Sequence, residues 1–372
     1  MKRGVRRAFY PSRTFFVVCP QGLVKRLLHA ASAPRAEARR RRLRGPGSAG
    51  VNWFALVRGI GFKVRGGRCR LAPMMTEDTL LLHFEDESDE AARLAREAGL
   101  ETAVIERHRF PDDELRLRLP AALPARVVLY RSLHRPNEKL LELLLVARSA
   151  GRQGAQHLTL VAPYLAYMRQ DKAFRPGEVV SQRIVGEFLA GLFDAVITVD
   201  PHLHRIATLA EAIPVAHALA LTGAGLLADV AVAHRPQPLL VGPDVESRQW
   251  VETAAQRHGL DHLVCTKVRH DDQRVDIALP AGADVRGRAV VILDDVASSG
   301  HTLARTAEGL RAAGAASVDV AVTHALFAGD ALALIRAAGV GEVWSTDCIV
   351  HPTNAVHIAP MLAAALRELR AA

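Results

Sequence analysis

The chain has 372 residues, 49% of them hydrophobic and 23% charged, which is typical of a globular protein with room for two or three domains. The net charge of +9 is unevenly distributed along the chain: residues 1–73 hold 18 Lys or Arg and one acid, about +17, which leaves about −8 for the rest. The basic charge therefore belongs to the first segment, which argues against nucleic-acid binding by the folded part. No apolar run of about 18 residues predicts a membrane span, and the four scattered cysteines predict no disulfide framework, so a cytoplasmic location fits.

Residues 1–74 form a basic segment that includes four consecutive arginines at 39–42. Three interpretations are open: a disordered basic arm, an Arg-rich and acid-poor transit peptide, or upstream sequence translated from a start earlier than the natural one. The pair Met74 and Met75, directly before the first strand pattern, favours the third. We expect little function in this segment.

From residue 75, strand and helix patterns alternate at the spacing of βαβ units. The first series contains strands at 79–84, 101–109, 126–130, 158–162 and 195–199, and helices at 89–98, 137–151 and 181–192. Ser88 is the predicted N-cap of the first helix, and Gly99 ends it. Alternating leucines at 115, 117 and 119 follow a polar loop. The pattern predicts an α/β fold with a mainly parallel sheet flanked by helices.

The alternation restarts near residue 221. The second series contains strands at 238–241, 262–266, 290–293, 317–323 and 342–346, and helices at 224–232, 248–258, 302–313, 329–338 and 357–372. A polar span at 270–276 is expected to be mobile. The predicted domains are 75–220 and 221–346, with the C-terminal helix packed back on the first.

Polar residues follow several predicted strands, at the edge where α/β sheets bind ligands. They are Arg169, Gln170 and Asp171 after strand 158–162, His202 and His204 after strand 195–199, and Asp244 after strand 238–241. The His-x-His pair invites a zinc interpretation, but no cysteine or third histidine stands at ligand spacing. An imidazole that positions a phosphate or hydrated Mg²⁺ is favoured.

The stretch 290–302 combines a buried strand, the acidic pair Asp294 and Asp295, a turn of small residues and the start of an amphipathic helix. Loop amides and a helix N-terminus favour a phosphate, and two carboxylates can accept hydrogen bonds from a ribose diol. Thr302 is a candidate helix cap that also contacts the phosphate. The alternative, an acidic pair that merely caps a helix, stays open on this stretch alone.

Six segments in register, between about residues 100 and 370, resemble the ribose-phosphate pyrophosphokinase family. They are 109–114 (Arg-Phe-Pro-Asp-Asp-Glu), 163–171 (Pro-Tyr through Arg-Gln-Asp), 199–202 (Val-Asp-Pro-His), 242–244 (Gly-Pro-Asp), 267–269 (Lys-Val-Arg) and the loop 294–302. The resemblance implies two phosphoribosyltransferase-like domains. It also implies transfer of a diphosphoryl group from ATP to the 1-hydroxyl of ribose 5-phosphate, with Mg²⁺ as cofactor and AMP as the second product.

The resemblance also assigns roles to residues of this chain. ATP would be bound by Phe110, Asp112, Glu114, Arg169, Gln170, Asp171 and His202; Mg²⁺ by His202 and Asp244; ribose 5-phosphate by Asp294, Asp295, Ser298, Ser299, Gly300, His301 and Thr302; and Lys267 and Arg269 would be catalytic on a closing loop. It implies a homo-oligomer in which residues 110, 112 and 114 reach the adenine site of a neighbouring subunit.

Three departures from the family pattern suggest a divergent branch. Ser298 and His301 change the ribose-phosphate loop, Val245 and Glu246 replace a glycine pair, and Val268 replaces an arginine. Three alternatives are weighed: a phosphoribosyltransferase that consumes phosphoribosyl diphosphate, a non-catalytic regulatory relative, and nucleic-acid binding through the basic segment.

Overall fold

The computed structural model describes residues 79–269 and 275–371, with only the backbone for 267–269, 275, 276 and 371. The predictions for residues 1–74 and for most of the polar span 270–276 lie outside the described residues. Within them, no helix is both long and apolar enough to cross a bilayer.

The first part of the described chain forms a seven-stranded sheet in the order β3-β2-β1-β4-β5-β6-β7. Its strands are β1 (Thr79–Phe84), β2 (Glu101–Arg109), β3 (Leu115–Arg118), β4 (Arg126–Tyr130), β5 (His157–Val161), β6 (Ala195–Val199) and β7 (His217–Leu221), and its helices are α1 (Ser88–Ala98), α2 (Pro136–Arg152), α3 (Ser181–Ala190) and α4 (Leu209–Ala212). All pairs are parallel except β2 with β3. The parallel strands are nearly continuous in apolar residues because both faces of the sheet are covered.

The second part forms a six-stranded, all-parallel sheet in the order β15-β14-β13-β12-β8-β9 and a separate hairpin of β10 and β11. The elements are α5 (Ala224–His234), β8 (Leu239–Gly242), α6 (Arg248–His258), β9 (His262–Val264), β10 (Thr266–Arg269), β11 (Val275–Ala278), β12 (Ala289–Ala297), α7 (His301–Ala312), β13 (Ser317–Ala325), α8 (Ala331–Ala337), β14 (Val343–Thr346), β15 (Asn354–Val356) and α9 (Ala359–Ala371).

Four buried clusters hold the layers together. On the first sheet, α2 and α3 cover one face, and α1 and α9 cover the other, where Leu362 and Leu366 of α9 pack with Leu81 and Leu94. On the second sheet, α7 and α8 cover one face, and α5 and α6 cover the other. The last helix of the chain is therefore part of the core of the first sheet.

Three predicted boundaries were wrong in ways that have a physical reason. Helix α1 begins at Ser88, because a short 3₁₀ turn precedes it; the Ser88 hydroxyl donates to the Glu85 carbonyl instead of capping the helix. Strand β12 continues to Ala297, because β13 is long enough to pair with it throughout. Thr302 is the second residue of α7, and the cap position belongs to Gly300.

Candidate active site

A cavity of about 290 Å³ lies beside the carboxyl ends of β6, β8 and β12. It is lined by Arg169, His202, Asp244, Glu246, Asp294, Asp295, Val296, Ala297, Ser298, Ser299, Gly300, Thr302 and Leu303. Parallel strands place the residues that follow them at one edge of a sheet, where α/β folds bind ligands. The cavity therefore brings together residues from both sheets that are far apart in sequence.

The loop from β12 to α7 forms one wall of the cavity, and its shape depends on Gly300. This residue has a φ of 79°, in the left-handed region, and is the N-cap of α7. A Cβ atom added there would lie 2.9 Å from the carbonyl oxygen of Ala331 and 3.2 Å from the Ile335 side chain. The amides at the start of α7 and the helix dipole favour an anion at this wall.

We expect Gly300→Ala to lower the free energy of unfolding by about 1–3 kcal/mol, because it combines a strained φ with a backbone contact. The matched control is Gly309→Ala in the same helix, where an added Cβ meets nothing within 4 Å. That change is expected to raise stability by about 0.5–1 kcal/mol. Urea denaturation measures both, and effects of the same sign would contradict the role given to Gly300.

Asp295 and His202 form a hydrogen-bonded pair at the centre of the cavity, with 2.8 Å between Oδ2 and Nδ1. Burial raises the pKa of Asp295, but the hydrogen bond from His202 and the charges of nearby imidazoles outweigh it and leave the pKa lowered. Because an ionised carboxylate only accepts, His202 donates to it through Nδ1. The Asp295 carboxylate thus orients His202.

Asp244 lies in the short turn after β8, where it is mostly buried. Its Oδ1 accepts the amides of Glu246 (2.9 Å) and Ser247 (3.3 Å), which fixes the carboxylate at the cavity wall. Glu246 is exposed and lies on the rim. The two acids provide oxygen atoms beside His202.

His204 belongs to the His-x-His pair, for which the sequence has no cysteine or third histidine at ligand spacing. Its Nε2 lies 3.0 Å from Nε2 of His202 and 3.7 Å from Oε2 of Glu246. Burial and the neighbouring His202 lower the pKa of the His204 imidazole, which favours its neutral form. Glu246 follows another strand end, 42 positions further along the chain, so spacing in the sequence does not reveal its approach to His204.

Asp200, at the end of β6, was not singled out by the sequence. Its buried carboxylate accepts from Nε1 of Trp250 (2.7 Å), the hydroxyl of Thr323 (2.7 Å) and the amide of Gly223 (2.9 Å). Burial raises the pKa of Asp200 against these three hydrogen bonds. Asp200 and His202 have φ values of 39° and 56°, a strained turn of the kind found at functional sites.

Several predicted ligands lie outside this cavity. Phe110, Asp112 and Glu114 are on the exposed turn between β2 and β3, with Phe110 38% exposed. The side chains that do not line the cavity also include Gln170, Asp171 and His301. The Asp171 carboxylate pairs with Arg205, the Gln170 side-chain amide donates to the Lys172 carbonyl, and His301 is exposed at the first position of α7.

Lys267 and Arg269 lie on β10, in register with Ile277 and Val275 of β11. They were expected on a loop after a strand at 262–266. That prediction was wrong because the chain makes a second strand there, paired antiparallel with β11. The side chains of both residues lie outside the described part of the structure.

Two family models match consecutive parts of the chain. The N-terminal domain of ribose phosphate pyrophosphokinase matches residues 79–192, and the phosphoribosyl transferase domain matches residues 214–336. A ribose-phosphate pyrophosphokinase from Methanopyrus kandleri is 35% identical over 280 residues, which cover 74% of this chain and 94% of the relative. Ribose-phosphate pyrophosphokinase 1 from Archaeoglobus fulgidus is 32% identical over 280 residues, 74% of this chain and 95% of the relative.

Among solved structures, the phosphoribosylpyrophosphate synthetase from Mycobacterium smegmatis superposes with a TM-score of 0.67 at 24% identity, covering 78% of this chain and 98% of that one. At this identity the likeness concerns the fold. Fold and site together define a protein of two phosphoribosyltransferase-type domains, each a mainly parallel sheet flanked by helices. The chain belongs to the ribose-phosphate pyrophosphokinase family.

Proposed function

We propose that this protein transfers the diphosphoryl group of ATP to the 1-hydroxyl of ribose 5-phosphate and releases AMP. The observation that carries the proposal is a cavity lined both by the β12–α7 loop and by Arg169 and His202 from the first sheet. In such a cavity the loop would bind the sugar phosphate, and Arg169 and His202 would contact the polyphosphate. Family membership supports the same reaction.

Ribose 5-phosphate is proposed to bind along the β12–α7 loop. Its phosphate would lie against the amides and hydroxyls of residues 298–302, at the N-terminus of α7. The carboxylate of Asp294, and that of Asp295 where His202 leaves an oxygen lone pair, would accept hydrogen bonds from the ribose diol. Bound this way, the 1-hydroxyl would face the residues of the first sheet.

In the transfer step, the oxygen of the 1-hydroxyl forms a bond to the β-phosphorus of ATP, and the bond from that phosphorus to the bridging oxygen of AMP breaks. The hydroxyl proton passes to solvent or to a phosphate oxygen. Positioning and electrostatic stabilisation provide most of the catalysis in phosphoryl transfer. Arg169 is proposed to bind the ATP phosphates, and Lys267 and Arg269 to stabilise the charge that develops on the oxygens.

The donor atoms of the cavity fit Mg²⁺, which prefers oxygen ligands. Asp244 and Asp294 line the cavity together with Glu246, and the amides of residues 246 and 247 hold Asp244 in place. We propose that His202 and Asp244 orient Mg²⁺ or its water ligands. Mg²⁺ held there would neutralise negative charge on the phosphates.

The adenine ring is proposed to contact Phe110, Asp112 and Glu114 of a neighbouring subunit in a homo-oligomer. The exposed position of Phe110, away from the cavity of its own chain, supports this arrangement. The domain limits 75–220 and 221–346 stay a proposal: β7 of the first sheet ends at Leu221, α5 after it packs on the second sheet, and β15 extends that second sheet beyond residue 346. A cytoplasmic location is proposed from the free, buried thiols of Cys265 and Cys348.

The function is tested by incubating the full chain with Mg²⁺, ATP and ribose 5-phosphate and following nucleotides and sugar phosphates by chromatography and ³¹P NMR. AMP and phosphoribosyl diphosphate in equal amounts are the expected products. Release of ADP, or no consumption of ATP, would refute the proposal. Formation of a nucleotide from phosphoribosyl diphosphate and a free base would instead favour a phosphoribosyltransferase, and no turnover with intact ligand binding would favour a regulatory relative.

Deletion of residues 1–73 is expected to leave turnover within about twofold of the full chain, because the family matches begin at residue 79 and the cavity is lined by residues 169–303. Steady-state kinetics of the shortened and full chains measure this. Binding to duplex DNA or RNA, followed by fluorescence anisotropy, distinguishes the alternative: the shortened chain should lose any salt-sensitive binding that the basic segment provides. Loss of turnover on deletion would contradict the prediction.

A further inference from the structure

The turn between β2 and β3 presents Phe110 on a well-braced backbone. The Phe110 amide donates to the Glu114 carbonyl (2.9 Å), and the Asp113 amide donates to the Phe110 carbonyl (3.0 Å), so two hydrogen bonds close the turn. The Arg109 guanidinium contacts the carboxylates of Asp113 (3.3 Å) and of Glu138 on α2. The backbone around Phe110 is therefore held relative to both the sheet and α2.

Two side chains of the flanking strands hold the Phe110 ring itself. The His108 ring meets the Phe110 ring in a T-shaped arrangement, with 4.9 Å between the ring centroids and 85° between the ring planes. The Arg116 guanidinium lies over the Phe110 ring, 5.8 Å from its centroid. Both contacts are attractive because an aromatic ring has a negative face and a positive edge. Together they favour one orientation of the Phe110 ring.

His108 and Arg116 approach the ring from one face of the β2–β3 ladder. They are paired directly across the two strands, so their side chains share a face. Leu115 and Leu117 alternate with Arg116 along β3, and both are half-buried on the opposite face. Phe110 nevertheless keeps 38% of its surface exposed. An oriented and partly exposed ring is a surface on which a second planar group can stack.

We infer that His108 and Arg116 are positioning residues of the nucleotide site, which hold the Phe110 ring in the orientation that stacks on the adenine of ATP. The inference rests on the proposed function, which gives Phe110 the adenine contact. Ordering a free side chain on binding weakens affinity by a factor of about 2 to 10, and a ring that is already oriented avoids this loss. In this role Arg116 acts through Phe110 and not by contact with the nucleotide.

Steady-state kinetics of AMP formation by the full chain test the inference. Arg116→Ala and His108→Ala should each raise the KM for ATP by about three- to tenfold. The kcat and the KM for ribose 5-phosphate should stay within about twofold of the wild type, since the inference places neither residue at the reacting groups. Arg116→Lys keeps a cation and His108→Phe keeps a ring, so each should recover most of the affinity for ATP.

A double-mutant cycle shows whether Arg116 acts through the Phe110 ring. In a chain that carries Phe110→Ala, the further change Arg116→Ala should alter the KM for ATP by less than about twofold. The same effect of Arg116→Ala with and without the Phe110 ring would overturn the inference, because Arg116 would then act on the nucleotide independently of that ring.

Arg118→Ala is the matched control for loss of a positive charge. Arg118 lies on the same strand and the same face as Arg116, but it pairs with Glu106 at 3.3 Å. Its replacement should leave the KM for ATP at the wild-type value. A rise in this KM equal to that of Arg116→Ala would overturn the inference, since a general loss of charge would then account for both.

Binding of an ATP analogue separates this inference from the proposed function. The analogue has a methylene group between its α- and β-phosphorus atoms, so it cannot transfer a diphosphoryl group, and calorimetry measures its affinity in the presence of Mg²⁺. If the wild type forms AMP but Arg116→Ala and His108→Ala change neither the KM for ATP nor this affinity, the positioning role is refuted and the reaction stands. If both variants weaken binding of the analogue only while Phe110 is present, but the wild type forms no AMP, the positioning role stands and the proposed function is refuted.

Discussion

Lys267→Ala is expected to lower kcat by about a hundredfold or more, equivalent to roughly 3 kcal/mol of transition-state stabilisation, on the scale of a lost oxyanion donor. The diphosphoryl group gains charge on its oxygens as it moves, and the proposal gives Lys267 the task of stabilising that charge. The KM for ribose 5-phosphate should change little, because the sugar binds at the β12–α7 loop. Steady-state rates of AMP formation measure both quantities.

Two further variants test whether charge is the cause. Lys267→Arg keeps the charge and should recover part of the lost turnover. Val268→Ala lies between the two cationic residues on β10 and changes the hairpin without removing a charge, so its kcat should stay within a few-fold of the wild type. Near wild-type turnover in Lys267→Ala would remove this residue from the mechanism.

Arg131→Ala is expected to lower the free energy of unfolding by about 3–5 kcal/mol. Arg131 is 1% exposed, and its guanidinium contacts Asp86 (2.9 Å), Glu87 (3.1 Å) and Glu142 (2.6 Å). Removal of the cation leaves Glu87 and Glu142 buried with one compensating charge fewer. Equilibrium unfolding in urea, followed by circular dichroism, measures the loss.

The comparison for this variant is Arg118→Ala. Arg118 pairs with Glu106 at 3.3 Å, but its side chain is 76% exposed and the pair is screened by water. Its replacement should change stability by less than about 1 kcal/mol. Similar losses of unfolding free energy for Arg131→Ala and Arg118→Ala would contradict the prediction that the buried ion pairs of Arg131 contribute more to stability than the exposed pair of Arg118.

Much of the fold is predictable because its elements have strong local patterns. Strands β2, β4 and β6 and helix α6 begin and end at the predicted residues. Helix α6, for example, ends before Gly259, whose φ of 63° suits the left-handed residue that closes a helix. The alternation of such elements is sufficient to indicate a parallel α/β fold.

The elements that sequence patterns missed depend on tertiary pairing. Strand β7 is a half-exposed edge strand of alternating Ala and Leu, and its ladder with β6 decides its conformation. Strand β15 has three residues and pairs with β14 across a register shift. Single-residue propensities carry too little information for such short segments.

The same distinction applies to the site. Asp244 and His202 were predictable as cavity residues because each follows a strand in a parallel sheet, and Asp294 and Asp295 were predictable because they lie near the carboxyl end of β12. The pairing of His202 with Asp295, and the approach of Glu246 to His204, depend on how the two sheets face each other. No periodicity or spacing along the chain encodes that arrangement.

The carboxylate of Asp200 links the two sheets through hydrogen bonds. Asp200 directly follows β6 of the first sheet, yet its hydrogen-bond donors Trp250 and Thr323 belong to α6 and β13 of the second part, and His324 donates to the Asp200 carbonyl. Hinge opening between the sheets would separate these groups and leave a buried carboxylate without partners, at a cost of several kcal/mol. We therefore expect the two sheets to move as one rigid frame, so that access of substrates is controlled by smaller elements at the cavity rim.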